Sequence, residues 1–314
     1  MEMHADDSFS RCFEYASGAT GRRVQNPLWQ ITEIFSGQEL RKSINEVKSF
    51  GKTIVANAVR ARGYGKGRDE HNSQNIHALS GSLINSLLDS ISDHRMVADA
   101  ALNYLSAGRD TTAQALTWAL YLLMRSPRVV TRLREELLSL SAPTNDGPPR
   151  LGSSSLRPAV LPYTMAVFYE TLRLYPPVPV ELKQVEHDTT LPDGTFLPKS
   201  AVVVWCIWAI NRSKLIWGED ADIFRPERWI ENGKLVSKSA YEFPVFNGGP
   251  RTCLGKKMAE CMAVMVLATL IWQFDFVAVD DRERISKNSL TLPMKGGLPC
   301  FVKKRTTTVI EITL

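Results

Sequence analysis

The sequence predicts a mainly helical α+β fold with small β-sheets. Three observations carry this. Apolar residues recur at helical spacing through most of the first half of the chain. Prolines at 127 and 176–177 stop two of the longest such stretches. Short runs with strand character fall mostly in the second half, at 201–206 and 306–313.

Residues 1–60 read as helix, most clearly 43–60, where Ile44, Val47, Ile54, Val55 and Val59 share one face. Residues 61–75 carry Gly63, Gly65 and Gly67 among many charges and read as a solvated linker. A long apolar-rich helix is expected over 92–126, roughly 50 Å from end to end at 1.5 Å per residue. A second helix follows to residue 140. Residues 141–158, rich in Ser, Pro and Gly, read as a loop. A third helix covers 159–175. The run 201–206 reads as a buried strand, and 253–272 as a helix. No internal repeat is visible.

Composition narrows the function classes. At 44% hydrophobic and 23% charged, the 314-residue chain is too apolar for disorder and large enough for one large core or two modest ones. The net charge of +5 does not cluster, so nucleic acid is not expected as a partner. Cys12, Cys206, Cys253, Cys261 and Cys300 form no C-x-x-C, which argues against a disulfide framework and a zinc cluster. The histidines show no metal-ligand spacing. The opening residues do not resemble a signal peptide. The longest apolar run, 261–272, is too short to span a bilayer and reads as a buried core helix.

The strongest local signal is Phe246-Asn-Gly-Gly-Pro-Arg-Thr-Cys253-Leu-Gly255. Its glycines and proline demand a tight irregular loop, and an apolar helix starts directly after it. Thiols at helix N-termini ionise more readily, Arg251 adds a cation, and Phe246 can shield the sulfur. A thiolate so held is a nucleophile or a metal ligand; the plain alternative is a structural cysteine after a glycine turn. A second signal is Ala107-Gly108-Arg109-Asp110-Thr111-Thr112, a polar notch in an otherwise apolar helix. Its plain alternative is a notch satisfied by its own backbone. A third is Glu170-Thr-Leu-Arg173, an acid and a base on one helix face, followed by Pro176-Pro177 and later by Phe224-Arg-Pro-Glu-Arg228-Trp229.

Taken together and in this order, these segments resemble the cytochrome P450 haem-thiolate monooxygenases. The matching patterns are A/G-G-x-D/E-T, E-x-x-R, P-E-R-F with Trp229 in place of Phe, and F-x-x-G-x-R-x-C-x-G. The resemblance covers residues 92–303 and extends towards residue 9. It implies the P450 fold lacking its N-terminal part, with residues 1–314 as a single domain. It implies haem b, with Cys253 as the metal ligand and Phe246, Gly249, Arg251 and Gly255 forming the loop around the cofactor. Arg251 pairs with one propionate, and Lys183, at a position where many members carry arginine, with the other. Asp110 and Thr111 are the implied proton relay to bound dioxygen. Glu170, Arg173 and Arg228 form a structural ion network. Ala107, Val178, Val180, Leu182, Met294 and Gly296 line the substrate pocket.

The resemblance further implies insertion of one atom of O2 into an apolar substrate. Electrons come from an NADPH-dependent flavoprotein reductase; Lys256 and Lys257, just past the cysteine, read either as a solvated helix start or as its docking cations. The wording of 189–194 and 211–218 resembles a fungal branch near the alkane and fatty-acid ω-hydroxylases. Relatives of full length sit on the cytosolic face of the endoplasmic reticulum, and membrane-surface association is implied; without an anchor this chain would be cytoplasmic. No W-x-x-x-R segment precedes the Ala107–Thr112 notch, where the family carries its propionate-gripping helix, and 314 residues fall short of the family by roughly a third. Two alternatives remain open: a truncated chain that binds haem without turnover, and a haem enzyme that rearranges hydroperoxides. A zinc or thiol enzyme built on Cys253 lacks a partner histidine pattern.

Overall fold

The computed structural model describes residues 4–26, 28–64, 76–140, 142–144, 147–152, 155–287, 289, 291–305 and 312–313. The chain divides into two compact units, Met1–Arg109 with Asn288–Leu290, and Asp110–Lys287 with Thr291–Leu314.

The first unit is helical. It contains α1 (His4–Gln25), α2 (Trp29–Ser36), α3 (Gln38–Tyr64), α4 (Ile76–Ser90) and the first part of α5 (His94–Met124). Phe9 of α1 stacks on Phe50 of α3 with ring centroids 4.3 Å apart. Gly51 lets α3 come close to α5, since a Cβ there would lie 2.6 Å from the Leu102 side chain. Val55, Val97 and Ala98 are buried together, with Ile84, Leu87 and Leu88 of α4 packed against them. Helix α3 runs to Tyr64, past the point where a linker was expected. Arg62 helps hold this last turn by donating to Asn85 Oδ1 at 2.8 Å and pairing with Asp89 at 2.9 Å. The rest of the expected linker, 65–75, lies outside the described residues.

The second unit is built on the remainder of α5, α6 (Pro127–Ser139), α7 (Pro162–Leu174) and, further along, α10 (Lys256–Gln273). Prolines occupy the first turns of α6 and α7, where the missing N–H costs nothing. Val129, Leu133 and Leu137 recur every four residues and bury one stripe of α6. They meet Ala115, Ala119 and Leu123 of α5, Met165, Phe168 and Leu172 of α7, and Val264, Leu267 and Ile271 of α10. The apolar run 261–272 is therefore one core helix, although Cys261 and Met262 at its start stay exposed. No helix among the described residues is long and apolar enough to cross a membrane.

Short strands frame these helices. Strands β1 (Ala142–Thr144) and β2 (Gly147–Gly152) pair antiparallel where a loop was expected. Here pairing with neighbours outweighs the weak strand preference of Gly and Pro. Strand β3 (Val180–Gln184) pairs with β6 (Val202–Cys206), while β4 (Thr189–Thr190) pairs with β5 (Phe196–Leu197). The expected strand at 201–206 thus forms, but it is not buried. Its only described partner is β3, so the face bearing Val180, Leu182, Val202 and Val204 is exposed. Two short helices follow, α8 (Ile207–Ile210) and α9 (Lys214–Trp217). Strands β7 (Ile230–Glu231) and β8 (Lys234–Leu235) flank Asn232-Gly233, both left-handed, which is the chemistry of a tight hairpin. Strand β9 (Phe274–Ala278) pairs with β10 (Cys300–Lys304), and β11 (Ile312–Thr313) adds parallel to β2.

Helix α7 receives its cap from a neighbour. Leu161, just before it, offers no side-chain cap. Instead Glu136 of α6 accepts bonds from the Tyr163 and Thr164 amides at 2.6 and 2.9 Å and from Thr164 Oγ1 at 2.7 Å. Burial raises the Glu136 carboxyl above its ordinary range, and the three bonds oppose that shift. We expect Glu136→Ala to cost about 1–3 kcal/mol in a denaturant titration, with Glu136→Gln losing less because its amide oxygen still accepts. An unchanged Glu136→Ala midpoint would rule out this capping role.

Candidate functional site

The cysteine loop is closed on itself. After the 3-10 turn Pro244–Phe246, Asn247 adopts φ 59° and ψ −174°, a conformation normally left to glycine. Its carboxamide oxygen accepts the Gly248 amide at 2.9 Å. Gly248 is required by space, because a Cβ there would approach the Ala240 Cβ to 2.9 Å. Gly249 turns left-handed at φ 60°. The Cys253 amide then donates back to the Phe246 carbonyl at 2.8 Å, and α10 starts at Lys256. Phe246 is half-buried and packs on the helical core, whereas Arg251, Cys253 and Leu254 are exposed. Lys183 of β3 reaches this loop: its ammonium lies 3.4 Å from Asn247 Oδ1 and 5.2 Å from the centre of the Trp205 ring.

The three charged residues singled out in the sequence meet beneath that loop's stem. Glu170 and Arg173 are fully buried and paired bidentately, Nε–Oε2 at 2.8 Å and Nη2–Oε1 at 2.9 Å. Arg228 Nε donates to Glu170 Oε1 at 2.9 Å, and its Nη2 lies 3.3 Å from Asp220. Two further donors were not foreseen, the Arg225 amide and the Trp229 indole N–H, each 2.9 Å from a Glu170 oxygen. The Arg173 guanidinium also donates to the carbonyls of Asn211, Ala221 and Ile223. The carboxylate thus has both oxygens occupied, as a buried charge requires. That a tryptophan stands where phenylalanine was expected was the available signal: only the indole can donate.

A second carboxylate in the same segment also escaped the sequence reading. Glu227 accepts from Arg128 and Arg132, both at 2.7 Å, and from the Tyr163 hydroxyl at 2.8 Å. Arg132 also lies over the Tyr163 ring. Burial works to raise the Glu227 carboxyl, but the Arg128 and Tyr163 bonds prevail and hold it at about 2. Glu170 and Glu227 together fasten the segment Pro226–Trp229 to α6 and α7.

Asp110 and Thr111 are half-buried in α5, which stays continuous through them. Ala107 belongs to the first unit's share of the same helix. Two turns beyond Thr111, Trp118 stacks on Tyr175 with ring centroids 4.0 Å apart and donates to the Leu292 carbonyl at 2.9 Å. The Leu292 amide in turn donates to Pro177 O, tying the late loop to the Pro-Pro turn. Met294 lies in that late loop. It is buried with Trp118, Tyr121, Leu122 and Leu174, because these bonds draw its loop onto α5. Gly296 turns at φ 76° beyond it. Val178 is half-buried, while Val180 and Leu182 lie on the exposed face of β3.

A profile described as "Cytochrome P450" matches residues 8–301. The chain is 34% identical over 311 residues to "Cytochrome P450 94A1" of Vicia sativa, covering 95% of this chain and 57% of that protein. It is 32% identical over 316 residues to "Cytochrome P450 86B1" of Arabidopsis thaliana, covering 96% and 56%. It is 36% identical over 212 residues to "Alkane hydroxylase MAH1" of Arabidopsis thaliana, covering 67% and 40%. The chain belongs to the cytochrome P450 family. It spans rather more than half the length of the first two of these relatives. They are plant proteins, so they lend no support to the fungal branch suggested by the wording of the motifs. Members of the family bind haem b.

The donors present suit that group. Cys253 offers an exposed sulfur at the mouth of a closed loop, and a Cβ on Gly249 would meet nothing within 4 Å. Among the described residues no cluster of His, Cys, Asp and Glu offers a competing metal site.

Trp229→Phe leaves Glu170 Oε2 one donor short in a sealed site, and we expect a loss of about 1.5–3 kcal/mol in unfolding free energy. Equal stability of the two proteins would show that the indole bond contributes nothing. For Glu227, a native value of about 2 against an ordinary 4.5 means its contribution is present above pH 4.5 and fades as pH falls towards 2. Glu227→Gln should therefore flatten the acid limb of the stability curve over that window, measured as melting temperature against pH.

Proposed function

We propose that this chain carries the haem-binding and oxygen-activating part of a monooxygenase. The reaction consumes an apolar substrate, O2, two electrons and two protons and yields an alcohol and water. The observation that supports this best is the exposed Cys253 sulfur, set in a loop closed by the Cys253–Phe246 bond and braced by the buried Glu170 network. Residues 1–314 then form a portion of one family domain.

When bound, haem b supplies the redox-active iron at which O2 is activated. The chain's own residues do the rest. Cys253 would provide the sulfur ligand, with Phe246 shielding it and Gly249 and Gly255 leaving room for the macrocycle. Arg251 would pair with one propionate. Lys183, beside the same loop, would pair with the other. Thr111 would hold a proton at its Oγ1, resupplied from the Asp110 carboxyl, because cleaving O2 demands protons in a pocket that otherwise excludes water. Glu170, Arg173 and Arg228 keep the loop's platform rigid. Ala107, Val178, Val180, Leu182, Met294 and Gly296 would line the substrate pocket.

A long-chain alkane or fatty acid is the substrate class we favour, because a protein named as an alkane hydroxylase is among the relatives. Electrons would come from an NADPH-dependent flavoprotein reductase. Association with the cytosolic face of the endoplasmic reticulum goes with this reading.

The reduced, carbon-monoxide-bound spectrum of the expressed chain tests the proposal. The long-wavelength Soret band of a thiolate-ligated haem is expected in the wild type and absent in Cys253→Ala. Thr111→Ala should keep the band but divert electrons into peroxide. Unchanged coupling in Thr111→Ala would remove the proton-relay role, and a missing band in the wild type would remove the active-enzyme reading.

A further inference from the structure

Lys256, which the sequence offers as a docking cation for an acidic partner, also has neighbours within the chain, although its side chain is 44% exposed. Its ammonium lies 5.5 Å from the centre of the Phe246 ring, the ring beside the cysteine, and 3.9 Å from Glu260 Oε1 one turn along α10. Glu260 is itself anchored, accepting the Tyr169 hydroxyl at 2.6 Å. Burial, and then the bond to Glu260, push the Tyr169 phenol well above its ordinary range, so it stays a donor. Tyr169 directly precedes Glu170, and its ring packs on Trp229 and Phe243 at 5.2 and 5.7 Å. Phe243 leads into the cysteine loop, whereas Glu260 lies on the helix that leaves it.

We infer that Tyr169, Glu260 and Lys256 form a positioning relay. It ties both stems of the cysteine loop to the Glu170 platform and holds one compensated ammonium over Phe246. The relay deepens the proposed function and rests on Cys253 being the haem ligand. Its physical content is twofold. The Tyr169–Glu260 bond limits how far α10 can swing relative to Phe243. The Lys256–Glu260 pair sets the net charge at the start of α10, three residues past Cys253: a cation there favours the reduced, more negative centre, and the carboxylate offsets it.

Two measurements test this. In the chain without haem, amide exchange of residues 246–256 reports the loop. Tyr169→Phe should speed exchange at the Cys253 and Lys256 amides several-fold. Glu260→Gln, whose amide oxygen still accepts the phenol proton, should stay near wild type. In the haem-loaded protein, the midpoint potential should fall in Lys256→Met, rise in Glu260→Gln and return to the wild-type value in Lys256→Arg. A purely structural role would not give shifts of opposite sign. Unchanged exchange in Tyr169→Phe, or potentials that move together or not at all, would overturn the relay. Failure of the wild type to take up haem would instead overturn the proposed function, while the exchange experiment would still decide whether the Tyr169–Glu260 tie exists.

Discussion

A fully buried carboxylate can persist only if every lone pair it presents is met, and Glu170 organises its part of the fold around that demand. Arg173 comes from the same helix, Arg228 and Trp229 from the Pro226–Trp229 turn, and the Arg225 amide from the residue before it. Arg173 then spends its remaining donors on carbonyls at 211, 221 and 223. One charge on α7 thereby fixes the path of a segment with little regular structure of its own. Removing either arginine would strand a charge in the core at a cost of about 3–5 kcal/mol, far more than an exposed pair contributes.

The cysteine loop depends on this platform. Its entry passes Phe243, which packs on Trp229, Tyr169 and Trp217. Its exit is α10, whose inner face fills the same core as α6 and α7. Between these fixed ends the loop can hold Asn247 in an unfavourable backbone conformation, because the surrounding bonds over-determine it. Cys253 is left exposed while the residues at both ends of its loop are packed into the core, the arrangement a cofactor ligand requires.

Much of the site was legible because the relevant signals are local. The glycines and proline of 248–250 mark a tight irregular loop, and the E-x-x-R spacing puts acid and base on one helix face. What stayed hidden depended on residues distant in sequence. Glu136 caps a helix that starts 26 residues later, and Glu227 gathers cations from about 95 residues earlier. Nothing around Tyr169 or Glu260 announced that they would meet. The bonds from Trp118 to Leu292 and from Leu292 to Pro177, which bury Met294, likewise join residues far apart in sequence.

By itself the sequence determined the helical class, the family and the identity of the candidate ligand, since these rest on periodicity and on short motifs whose meaning lies in adjacent residues. Tertiary structure alone decided which side chains satisfy the buried charges, which strand faces stay uncovered and where Lys183 and Lys256 direct their ammonium groups. The reason is physical: hydrogen-bond satisfaction and burial depend on what the rest of the chain brings within 3 Å or so, and no local pattern encodes that.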